Sequence, residues 1–314
     1  MPRLSSRRFK QIMGPLASKS QLPWASLDFK NINTETYLAL ITRDGELSIM
    51  EPKDHDMLSS EWTEWTRFSV CGTPPSRMNE ASFKVCFHRE KVPCWEAVAA
   101  GLDYKALSLA VAAMETVKIY RTDRDRKLYL AAELTGARDL VRDVAWANGS
   151  MRGYDVLATA SKDGLVRIYE LRTPPGTDDR PASQRLKSAM QDVERPSTNS
   201  TTRESGISAG FASAARMQIV QEEDEEAPGR VRQVAKLVSV LDGHQGKGGV
   251  WRVVFSHAGT TTVDVVGEIA NTPSGDLLVT TGDDGAVRSY KKAVSGKWLE
   301  YAQIDADDLA DAES

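Results

Sequence analysis

Cysteine is scarce: Cys71, Cys86 and Cys94 are the three in 314 residues. They form no CxxC pair, and their odd number does not read as a disulfide framework, which points to a reducing compartment. The four histidines, His55, His88, His244 and His257, show no metal-ligand spacing, and no glycine-rich phosphate cradle accompanies them. No cofactor, metal or catalytic site is therefore expected. Even the apolar stretch "ALSLAVAAM" (106–114) falls well short of the roughly 20 residues a membrane helix needs, which argues against membrane insertion. Positive charge is also lacking, with 40 basic against 44 acidic residues, a net charge of -4 and a pI near 5.7. Nucleic acid and anionic membranes both select a basic field, so neither is an expected direct partner.

A recurring hairpin phrase is what the chain does have. "SKDGLVRIYE" (161–170) returns as "GDDGAVRSYK" (282–291). An Asp-Gly turn followed by alternating apolar residues is a strong short-range signal for a β-hairpin, because Gly supplies the positive φ. Aligned on the turn, the phrase occurs four times: 37–51, 106–121, 156–170 and 277–291. The second copy carries Met114 and Glu115 in place of Asp-Gly. Each copy is preceded by an alternating strand (24–31, 82–89, 140–147, 250–257) and followed by a more polar one (64–71, 127–134, 234–241, 297–304). Four strands in a meander make a propeller blade, so the expected class is all-β with four blades, at about 22–72, 80–135, 138–242 and 248–304.

On these phrases the chain resembles the WD-repeat β-propellers. In that family a His before the first strand, a Ser or Thr on the second, the turn Asp and a Trp on the third form a hydrogen-bonded tetrad. The resemblance assigns His244, Thr280, Asp284 and Tyr290 to it in the last unit, with Tyr in place of Trp. In the third unit it assigns Thr159, Asp163 and Tyr169, with Ala137 where the His would stand. The role expected of them is structural, because buried polar groups must find partners whether or not chemistry follows.

Four segments interrupt the pattern. Residues 173–230 hold one aromatic, Phe211, among Ser, Thr, Pro, Gly and charge, the composition of a disordered insertion within the third blade. Its "QEEDEE" (221–226) reads as solvated negative charge, the alternative being a docking strip for a basic partner. Its "GISAG" (206–210) matches a nucleophile elbow by chance, since no strand precedes Ser208. A second insertion, 260–273, separates the first two strands of the last blade. Residues 1–27 contain five basic and no acidic residues, as mitochondrial transit peptides do, but the repeats favour reading 1–21 as a basic segment remaining from a missing blade. Residues 305–314 form an acidic tail.

Among WD-repeat proteins the chain resembles the Seh-one nucleoporins, relatives of the Sec-thirteen coat proteins. The segments carrying the resemblance are "LAAELTGARDLVRDVAWA", "YDVLATASKDGLVRIYELR", the long polar insertion after them, and "GVWRVVFS" with "TGDDGAVRSY". It implies a non-enzymatic scaffold of the Y-shaped outer ring of the nuclear pore complex at the nuclear envelope, supporting nucleocytoplasmic transport of protein and mRNA. It also implies a place in the vacuole-associated Seh-containing complex that regulates the TOR kinase, at the vacuolar membrane periphery. A generic WD-repeat adaptor in ubiquitin ligation, coat or chromatin assembly is the alternative. That family has six blades and is open, so a helical nucleoporin donates a further β blade in trans. Only four units are countable here, so the two N-terminal blades are expected to be missing and the terminal faces uncovered. The sequence singles out no partner-contacting residue.

Overall fold

The computed structural model describes residues 23–305 except 33, 56–60, 77, 150–152, 175–228, 245–247 and 258–275. The basic segment 1–21, Ser208 with its "GISAG", "QEEDEE" and 260–273 lie outside the described residues, as do all but the ends of 173–230 and 305–314.

Four antiparallel sheets of four strands each follow one another along the chain, each ordered as a simple meander. The first comprises β1 (Trp24–Ile32), β2 (Glu35–Thr42), β3 (Glu46–Pro52) and β4 (Trp62–Ser69). The second comprises β5 (Phe83–Phe87), β6 (Ser108–Ala113), β7 (Thr116–Thr122) and β8 (Leu128–Leu134), with a short helix, α1 (Trp95–Ala99), between β5 and β6. The third holds β9 (Val141–Trp146), β10 (Asp155–Ser161), β11 (Val166–Arg172) and β12 (Val234–Leu241). The fourth holds β13 (Val250–His257), β14 (Asp276–Gly282), β15 (Val287–Lys292) and β16 (Trp298–Ile304). The first strands adjoin in series, β1 against β5, β5 against β9 and β9 against β13, which gives the radial stacking of a WD β-propeller. Helix α1 is the one element the strand pattern did not anticipate. Its single turn uses "WEAVA", whose Ala97 and Val98 are buried, and Glu96 N–H donates to Gly153 O at 2.8 Å.

The repeated phrases become repeated geometry. Gly45, Gly164 and Gly285 hold φ of 84°, 79° and 72°, and each donates its N–H to the residue three before it. Met114 takes the left-handed φ, 57°, at the turn that lost its Gly. The pairing of third with fourth strand shifts register at the same place in every sheet: Ile49/Met50, Ile119/Tyr120, Ile168/Tyr169 and Ser289/Tyr290. Such bulges add twist, and a common position gives all four sheets a common shape.

Three seams hold the core. Ile41 and Ile49 meet Val85 and Phe87 between the first two sheets. Ala110 and Ile119 meet Val144 and Trp146 at the second seam, and Ala158 and Ile168 meet Val253 and Phe255 at the third. Strands β6 and β10 are buried on both faces, and their alanines let neighbouring sheets approach closely.

Candidate partner-binding face and the side-chain clusters behind it

In the fourth sheet the expected polar residues converge. His244 Nδ1 lies 2.8 Å from Asp284 Oδ1, and its Nε2 lies 2.9 Å from Thr280 Oγ1. Arg288 Nη1 also lies 2.8 Å from Nδ1, so the carboxylate and the guanidinium meet at the same ring nitrogen. Arg288 Nη1 donates to Asp284 Oδ2 at 2.6 Å. Burial on its own would raise the Asp284 carboxyl, but the Arg288 and His244 contacts and the Ala286 N–H outweigh it and hold it down at about 2. Gly282 makes room for the ring, since a Cβ there would sit 2.5 Å from His244 Nδ1. Tyr290 stands beside Thr280, and its buried hydroxyl meets no partner with full hydrogen-bond geometry among the described residues. Burial, reinforced by Glu300, pushes that phenol up to about 12.

The third sheet is wired differently. Asp163 accepts from Arg167 Nη1 and Nη2 at 3.1 and 2.7 Å and from the Arg138 N–H at 2.9 Å, which takes the place of the absent imidazole. Burial opposes ionisation of Asp163, and these donors nevertheless bring its pKa below the usual carboxylate range. Tyr169 donates to Thr135 O at 2.8 Å, and Thr159 is buried at its side.

A second buried cluster joins sheets two and three at their other end. Asp155 takes Arg121 Nη2 at 2.7 Å and His88 Nε2 at 3.2 Å. Burial pushes the Asp155 carboxyl up, and His88 and Arg121 overcome it, leaving the pKa far below normal. Ser108, His88 and Asp155 are the residue types of a hydrolase triad. Ser108 Oγ, however, accepts from Arg121 Nη1 at 2.9 Å, and the imidazole is turned to Asp155 through Nε2. Among the described residues no three His, Cys, Asp or Glu side chains converge as a metal site.

Among the described residues the fourth sheet has one face against the third sheet and one face open. Along the open face Arg252 pairs with Thr281 and Thr281 with Val287, while Val254 pairs with Val279 and Val279 with Ser289. In the first sheet the matching positions Ala39, Ile41 and Leu47 are fully buried by the second sheet. Here Val254 is 50% exposed, Leu299 57% and Tyr301 64%. At the other end of the stack the expectation of an uncovered face is met only in part. Leu27 and Phe29 of β1 are exposed, but Leu38, Leu40 and Met50 are buried in a cluster closed by Trp62, against whose ring Phe29 lies edge-on at 6.2 Å.

The WD domain, G-beta repeat family matches residues 129–170 and 235–291, the segments that build most of sheets three and four. A nucleoporin SEH1 of Chaetomium thermophilum is 30% identical over 353 residues, covering 90% of this chain and 62% of the relative. A nucleoporin SEH1 of Saccharomyces cerevisiae is 26% identical over 302 residues, covering 96% of this chain and 73% of the relative. A nucleoporin seh1 of Schizosaccharomyces pombe is 26% identical over 254 residues, with 81% and 56% covered. The chain is a Seh1-like WD-repeat protein. It spans between about half and three quarters of the length of these relatives.

Within this Seh1-like frame, sequence reasoning missed the arginines. Arg167 and Arg288 each stand four residues after the turn Asp and pair with it. The signal was present in the repeated phrase itself, "DGLVR" and "DGAVR". In the second unit, which has no turn Asp, the matching Lys118 donates instead to Val70 O at 2.8 Å. Also missed was the first-strand position filled by Ser26, Lys84, Asp143 and Arg252, which spans the seams. Its residue type changes from unit to unit, so no motif marks it.

Proposed function

We propose that this protein is a scaffold subunit of the Y-shaped outer ring of the nuclear pore complex, acting by docking rather than catalysis in nucleocytoplasmic transport of protein and mRNA. The similarity to nucleoporins SEH1 over nine tenths of the chain carries the reading. The open apolar face of the fourth sheet supports it physically, because a sheet face with Val254, Leu299 and Tyr301 in water favours burial by another sheet. In this reading a helical nucleoporin supplies that sheet in trans, and the remaining Y-complex subunits assemble around the pair. The blades run over about 22–72, 80–135, 138–242 and 248–304, and the polar clusters around His244, Asp284 and Asp163 lock the last two. The same face serves the vacuole-associated Seh-containing complex upstream of TOR.

The test is an affinity-tagged chain expressed from its own promoter, followed by microscopy and by mass spectrometry of co-purifying proteins. A rim of fluorescence at the nuclear envelope and stoichiometric Y-complex subunits are expected. Recovery of ubiquitin-ligase or chromatin-assembly subunits in their place would assign the chain to a different WD-repeat adaptor.

A further inference from the structure

One register position recurs in the innermost strand of every sheet. Ser26, Lys84, Asp143 and Arg252 pair with Ile41, Ala112, Ala160 and Thr281, and each of those pairs with the Leu or Val that opens the third-strand pattern: Leu47, Val117, Val166 and Val287. At each internal seam the side chain at this position reaches the following sheet. Ser26 Oγ accepts from Val85 N at 3.3 Å, and Asp143 Oδ2 accepts from Val253 N at 3.1 Å. Lys84 Nζ lies 3.5 Å from Asp143 Oδ1, so a cation here meets a carboxylate at the same position one sheet further on.

Arg252 is the fourth member, and it is exposed on the open face. The strand residues of that face carry Arg252 and Lys291 and no acid, and Lys291 is already engaged, its ammonium 3.8 Å from the centre of the Tyr301 ring. From this series we infer that the sheet which covers β13 is supplied by a protein partner whose adjoining strand places an Asp or Glu carboxylate opposite Arg252. The inference rests on the reading that the open face receives a partner sheet, and adds the chemistry by which that partner is selected. An apolar face of this kind gives adhesion without register, because valine and leucine contacts tolerate sliding. A guanidinium facing a carboxylate fixes the pairing to one alignment and rejects a strand with a basic residue there.

Two measurements test this. In the first, tagged chain carrying Arg252→Lys is purified within its native assembly and treated with a carbodiimide, which joins an amine directly to a carboxylate. Peptide mass spectrometry should find position 252 joined to an Asp or Glu of another polypeptide. If that polypeptide is not a nucleoporin, the inference stands and the pore reading falls. A photo-crosslinker at position 254 that captures a partner while position 252 joins no carboxylate overturns the inference, as does capture at neither position. In the second, purified helical nucleoporin is titrated into the unsubstituted chain, Arg252→Glu and Arg252→Lys. Binding should weaken about tenfold for Arg252→Glu, less at high salt, and stay within about threefold for Arg252→Lys. Equal affinity for Arg252→Glu and the unsubstituted chain also overturns it.

Discussion

The Arg142 guanidinium stacks on the Trp251 indole, 3.7 Å from its ring centre, and so ties the third sheet to the fourth. The same guanidinium donates to Glu80 Oε1 at 3.1 Å, and Trp251 Nε1 donates to Asp283. One chain of contacts therefore runs from the loop before the second sheet to the turn of the fourth. Cation–π contacts are worth about 0.5–2 kcal/mol, more when desolvated, and the Arg142 side chain is largely buried. Arg142→Ala and Trp251→Ala should each lower unfolding free energy by about 1–2 kcal/mol, and the double variant by clearly less than their sum. Equilibrium urea unfolding of the four proteins checks this; strict additivity would show that the stack contributes nothing of its own.

The polar cluster of the fourth sheet predicts an acid limb to stability. Asp284 has a folded-state pKa of about 2 against an ordinary value of 3.8, so its contribution is present above the ordinary value and is lost as pH falls towards 2. Asp163 is shifted in the same direction. Urea midpoints should hold between neutrality and about pH 4–5 and then fall, and Asp284→Asn should flatten that limb. At neutral pH Asp284→Ala should cost about 3 kcal/mol, because it takes from the buried Arg288 its nearest carboxylate and leaves only Glu300, 3.9 Å away. An unchanged acid limb in Asp284→Asn would show that the carboxylate is not its source.

How much of this was legible beforehand follows from which features repeat. The Asp-Gly turns, the alternation around them and the four-strand spacing recur, so the sheets and their order could be read from the sequence. His244, Thr280 and Asp284 converge because the last unit keeps all three, and Tyr290 is buried beside Thr280. Arg138 could not be foreseen at the third sheet, since it acts through its backbone N–H, which any residue but proline supplies. Helix α1 and the His88–Asp155–Arg121 cluster were hidden for a related reason. The helix rests on a contact with Gly153 of the next sheet, and the cluster brings the end of β7 and the loop after β5 to the start of β10, meetings that no local pattern encodes.

That cluster is itself open to test. Arg121 is fully buried and Asp155 nearly so. Asp155→Ala leaves a guanidinium in the core without its counter-ion and should destabilise the chain by about 3–5 kcal/mol. Replacing both, as Arg121→Met with Asp155→Leu, removes the two charges together and should cost much less. Denaturant unfolding distinguishes the outcomes; a double variant as unstable as Asp155→Ala would mean that the pair is needed for more than mutual neutralisation.

Burial pushes the Cys86 thiol up to about 12 and the Cys94 thiol up to about 11, with Asp155 adding to the latter. Thiolate is the reacting species, so both should resist alkylation near neutral pH in the folded state. Iodoacetamide labelling followed by peptide mass spectrometry should show Cys86 reacting only at urea concentrations that unfold the sheet stack, which makes it a reporter of the seam that Trp146 closes by donating to Cys86 O at 3.0 Å. Rapid labelling of Cys86 without denaturant would contradict the packing of that seam.

The open face of the fourth sheet should govern how the isolated chain behaves. Each large apolar side chain left in water forfeits about 1.5–3 kcal/mol of burial, and several adjacent ones create a surface that a second molecule can cover. Leu299 and Tyr301 are the most exposed of them and lie on the outermost strand, whose edge is a further invitation to pairing. The purified chain should therefore self-associate with rising concentration, and Leu299→Ser with Tyr301→Ser should shift light-scattering mass towards the monomer without lowering the urea midpoint. A parent chain that stays monomeric at high concentration would mean that the face is too well hydrated to drive docking. Self-association unchanged by the two substitutions would place the sticky surface elsewhere, the exposed Leu27 and Phe29 of β1 being the next to replace.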